Sequence, residues 1–124
     1  MMRTEYLSRL ASALPALGLV LSLFLSEPPA VLLLSLGAIL FHETGHLFFF
    51  VLCGLPLPSL AASGAGMRLL PHQPLTPLSE GLIALGGPLF NLISAFFLLS
   101  FGGSFGALAG GIHLLYGLFN LIPF

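Results

Sequence analysis

Between residues 30 and 53 the chain is almost continuously apolar, yet His42, Glu43 and His46 stand near the middle of that run. As a straight helix the run is ~36 Å long, enough to cross the ~30 Å hydrocarbon core of a bilayer with some tilt. A charged side chain at the centre of such a span costs on the order of 2.5 to 3.5 kcal/mol on insertion scales. Glu43 therefore calls for compensation, and a metal ion or a polar cavity supplies it.

The spacing selects between these. Residues i and i+4 lie ~40° apart around a helix, and the residue following the first lies ~100° from it, so His42, Glu43 and His46 point to one side. His-Glu-x-x-His on a helix is a zinc-binding pattern in which the two imidazoles hold the metal and the glutamate serves as general base. Gly45 inside the motif lets another backbone or a substrate come close. The leucines of 32–36 and Phe48, Phe49 and Phe50 are expected to face lipid.

Composition fixes the class. Of 124 residues, 57% are hydrophobic and 6% are charged, whereas a soluble domain carries roughly a quarter charged residues. The chain reads as a single integral membrane domain, 1–124, all-α, with about four transmembrane helices. Lysine, aspartate and tryptophan are absent. Three scattered arginines form no basic patch, which argues against nucleic acid as a partner. Cys53 is the sole cysteine, so an internal disulfide is excluded.

In chain order, the expected spans are 10–26, 30–53, 81–100 and 104–122. The first follows Arg3 and Arg9 and resembles a signal sequence in outline, but no small-x-small cleavage pattern follows it, which favours a retained helix. Glu27, Pro28 and Pro29 form a turn that a helix cannot continue through. Residues 54–79 are the long interruption, apolar for a solvated loop, and are expected to lie at the membrane interface or to dip back into the protein, as a loop or as short strands. His72, between Pro71 and Pro74, reads as a polar loop residue.

The third span contains Gly86-Gly87-Pro88-Leu89-Phe90-Asn91, with a kink expected at Pro88. Asn91 is its one strongly polar side chain, and two readings stand level: a hydrogen bond between helices, or a group facing the metal site. In the last span Gly102, Gly106 and Gly110 form a stripe with period four that permits close packing. His113, Gly117 and Asn120 share a face there, which makes His113 a candidate extra ligand, though a polar packing contact is the favoured reading. Arginines before the first span and at Arg68 place the N-terminus and the 54–79 loop in the cytoplasm.

Three blocks in this order, His42-Glu43-Thr44-Gly45-His46, Gly87-Pro88-Leu89-Phe90-Asn91 and Leu118-Phe119-Asn120-Leu121-Ile122-Pro123, resemble the site-2 protease family of intramembrane zinc metalloproteases. The resemblance covers residues 30–124. It implies His42 and His46 as zinc ligands, Glu43 as general base, and Asn91 and Asn120 as polar groups lining the site or binding substrate backbone. It also implies a membrane-protein substrate cleaved within its transmembrane segment, and a multi-pass protein of a bacterial cytoplasmic membrane. The segment after the motif helix would correspond to a membrane-associated strand that presents an extended substrate.

One departure bears on activity. In the family the last block is followed by a Pro-x-Asp-Gly sequence whose aspartate is the third ligand, and this sequence contains no aspartate. The expectation is a fragment ending about one turn short of that residue. The alternative is a catalytically inactive relative that holds membrane helices without cutting them; a metal-transport bundle is a more distant third.

Overall fold

The computed structural model describes residues 25–63 and 66–122, together with Gly18, Leu21 and Ser22. The expected first span, 10–26, therefore lies almost wholly outside the described residues. Within them the chain forms three helices, α1 (Pro29–Leu52), α2 (Pro77–Phe101) and α3 (Gly103–Phe119), and one hairpin, β1 (Ser59–Ser63) with β2 (Gly66–Leu70), between α1 and α2.

Each boundary has a local cause. Pro28 and Pro29 open α1, where a proline's fixed φ suits the first turn and its missing N–H is not needed. Gly54, at φ 67°, adopts the left-handed conformation just past its end. Thr76 caps α2 by accepting from the Ser79 amide, and Pro77 follows at the first helical position. α2 runs on through Pro88 and ends at Phe101. Gly103, at φ 57°, then turns the chain directly into α3 with no loop between.

α1 and α2, 24 and 25 residues long, are long and apolar enough to cross a membrane. α3 differs from the expected 104–122 span: it is apolar but only 17 residues long and stops at Phe119. Asn120 is its C-cap, and both its backbone amide and its side-chain amide donate to the Tyr116 carbonyl, over 3.1 and 2.8 Å. The segment between the first two helices resolves into strands. β1 and β2 pair antiparallel, Leu60 opposite Leu69 and Ala61 opposite Arg68.

Glycine contacts set how closely the helices pack. A Cβ placed on Gly45 would run into the backbone carbonyl of Gly86, and one on Gly86 would run into Gly45 and the Phe49 ring. α1 and α2 thus meet backbone to backbone at the motif. Toward the C-terminal end of α2, Gly106 lies against the Leu98 carbonyl and Gly110 against the Leu99 side chain. The small-residue stripe of α3 is what allows that approach.

The buried apolar set is small: Ala38, Phe50, Ile83, Ala95 and Ala109. Phe50 departs from the expected lipid-facing role, being only 2% exposed, whereas Phe48 is 49% exposed. Many large apolar side chains on all three helices are open, Phe101 and Leu115 among them.

Candidate metal centre

His42 and His46 project from successive turns of α1 toward the glycine pair of α2. Their Nε2 atoms are 3.0 Å apart, and the rings meet edge to face at 4.7 Å between centroids. Gly87 forms the floor beneath them, since a Cβ there would collide with Nε2 of both rings. One ligand atom each from His42, Glu43 and His46 lies within 4.8 Å of the others, which makes this a group able to hold a metal ion. His42 is buried, and Glu43 and His46 are half-buried.

The outer ring nitrogens are tied to α2. His46 donates from Nδ1 to the Ile83 carbonyl over 2.6 Å. His42 Nδ1 lies 3.2 Å from the Asn91 amide nitrogen. Asn91 is fully buried, and its oxygen accepts from His113 Nδ1 over 3.0 Å. Ile83, Gly87 and Asn91 follow one another at four-residue spacing, so one stripe of α2 serves both rings.

The spacing of the two ring nitrogens suits a shared metal ion. Two nitrogens bound to one tetrahedral zinc at ~2.0 to 2.1 Å stand about 3.3 Å apart, close to the separation of the Nε2 pair. A ligand histidine commonly gives its other N–H to a carbonyl, as His46 does. Space is present as well. A cavity of about 390 Å³ is lined by His42, Glu43, His46, Glu80, Ala84 and Asn120, among others.

The sequence-selected residues separate into two sets. His42, Glu43 and His46 come together, with Asn120 at the edge of the same cavity. Asn91 contacts a site histidine and also joins two helices, so its two readings both describe it. His113 does not join the metal group, because Asn91 stands between it and His42. Instead it lies against the Phe41 ring and lines a second, largely apolar cavity. His72 is exposed and hydrogen-bonds the Ser59 hydroxyl on β1. Sequence reasoning missed Ile83 and Glu80. The first acts through its carbonyl, which carries no residue signature; the second was legible as a carboxylate one turn before it. No family model, curated protein or solved structure matches the chain.

Proposed function

We propose that this protein is a zinc-dependent endopeptidase that cuts membrane-embedded segments of other proteins, and that it resides in a bacterial cytoplasmic membrane. The observation that carries the reading is the Nε2 pair of His42 and His46 beside Glu43, gathered in one cavity on a helix long and apolar enough to cross a bilayer. The open apolar side chains of all three helices support lipid as their surroundings.

His42 and His46 hold the ion. When bound, zinc polarises a carbonyl and makes water reactive near neutral pH. With the ion held by His42 and His46, Glu43 would act as the general acid-base, taking a proton from water and giving it to the departing amine, a role worth typically 10²- to 10⁴-fold. Gly87 leaves room for the two ring nitrogens, which any side chain there would displace. Both ends of the Asn91 amide are engaged, so Asn120, at the cavity's edge, is the asparagine left to meet an unwound substrate.

The test is cleavage of single-span transmembrane peptides by the purified protein in detergent micelles with zinc supplied. Cutting that disappears on chelation and in Glu43→Gln supports the proposal. A zinc-loaded protein that cuts none of a broad peptide panel, or whose cutting survives Glu43→Gln undiminished, overturns it.

A further inference from the structure

The hydrogen bonds around the two site histidines form one continuous chain, and its proton positions follow from the partners. His46 Nδ1 faces a carbonyl, so it carries a proton, which in a singly protonated ring leaves Nε2 bare. The 3.0 Å contact between the two Nε2 atoms then needs its proton from His42. That leaves His42 Nδ1 bare, accepting from the Asn91 NH₂, while the Asn91 oxygen accepts from Nδ1–H of His113. Every group is satisfied, and no buried side-chain polar atom among the described residues lacks a partner.

Metal binding cannot use these proton positions. Both Nε2 atoms must offer lone pairs, so the His42 proton has to sit on Nδ1 and point at Asn91. Asn91 can accept it only by presenting its oxygen, which turns its NH₂ toward His113. His113 Nδ1 must then accept, and its proton moves to Nε2. Each ring keeps one proton throughout, and only its position changes. A neutral imidazole can serve both arrangements because either nitrogen can be donor or acceptor.

We infer that His113 is a positioning residue for the metal centre: acting through Asn91, its hydrogen-bonding character sets which nitrogen of His42 is bare. This rests on the metal reading of His42 and His46. The consequence is an order among substitutions that ring packing would not produce. A donor at position 113 holds Asn91 in the metal-free orientation; an acceptor holds it in the metal-ready one.

The experiment measures Zn²⁺ affinity by chelator competition, and Co²⁺ absorption, for the purified protein in detergent, with thermal unfolding followed in parallel. His113→Lys, a donor only, is expected to weaken binding more than His113→Phe, which loses roughly tenfold as orienting partners of ligands commonly do. His113→Gln, able to do both, stays within about threefold of the parent, and His113→Glu binds at least as tightly as the parent. Nitrogen NMR of the parent should show His113 protonated at Nδ1 without metal and at Nε2 with Zn²⁺. Equal affinity across the series overturns the inference. So does a loss in all four variants that tracks lowered thermal stability, or a His113 tautomer that ignores Zn²⁺. Failure of the parent to bind one ion, or undiminished binding in His42→Ala, would remove the metal reading itself and the inference with it.

Discussion

The His46 ring donates from Nδ1 to the backbone carbonyl of Ile83 across 2.6 Å, so the ligand nitrogen of one helix is aimed by the main chain of the next. Because a main-chain acceptor supplies the contact, substitution at position 83 leaves it in place. Ile83→Val should therefore retain full zinc content while costing about 0.5 to 1.5 kcal/mol of stability from the lost methylene. Metal analysis beside thermal unfolding reads both quantities.

The ligands themselves are tested by removal. His42→Ala and His46→Ala should each reduce bound zinc from about one ion per chain toward none, as measured by elemental analysis after dialysis. A stoichiometry unchanged in either variant rejects that residue as a ligand.

Glu43 lies within 4.8 Å of both histidines' ligand atoms, so it is near enough to be a ligand or a base. Glu43→Gln separates the roles. As general base its loss lowers cleavage about 10²- to 10⁴-fold with zinc content retained; zinc lost in parallel identifies it as a ligand instead.

The glycines offer a contrast between crowded and open positions. Gly87→Ala places a methyl group against both Nε2 atoms and should abolish zinc uptake. Gly45→Ala forces the backbones of α1 and α2 apart and should cost at least 1 to 3 kcal/mol, the scale of overpacking in a tight core. At Gly111 nothing lies within 4 Å of an added Cβ. Gly111→Ala should raise stability by roughly 0.5 to 1 kcal/mol, through the helix propensity gained. Unfolding in a single detergent ranks the three.

Asn91 is fully buried with both ends of its amide in use. Asn91→Ala strands partners on His42 and His113, and should cost about 1 to 3 kcal/mol and weaken zinc binding 10- to 100-fold. Asn120 bonds only to its own last turn among the described contacts and is exposed. Asn120→Ala should leave zinc affinity alone and act on substrate KM.

The motif helix was legible because its signals are local: an apolar run, prolines at one end, and two histidines one turn apart. Gly45 was legible as a point of close approach, and Asn91 as the one strongly polar side chain of its span, for the same reason. His113 was harder, because its face on α3 can be read from spacing but its partner cannot. Which polar group it meets depends on how α3 packs against α2, and Gly106 and Gly110 set that through backbone approach. The end of α3 was hard to place because the apolar sequence continues past Phe119, where the helical bonding gives way to tighter turns at Leu121 and Ile122. The hairpin was one of two readings, since apolar residues between prolines suit a loop or strands equally.

The direct passage from α2 into α3 through Gly102 and Gly103 also orders events in time. These two helices meet without closing any loop, whereas α1 must first close the connection formed by residues 53–76. The α2–α3 hairpin is thus expected to assemble first, pairing Asn91 with His113, before α1 brings His42 and His46 to it. Capture of a metal ion would then mark the end of assembly, so that a chain whose α1 has not yet docked carries no chemistry.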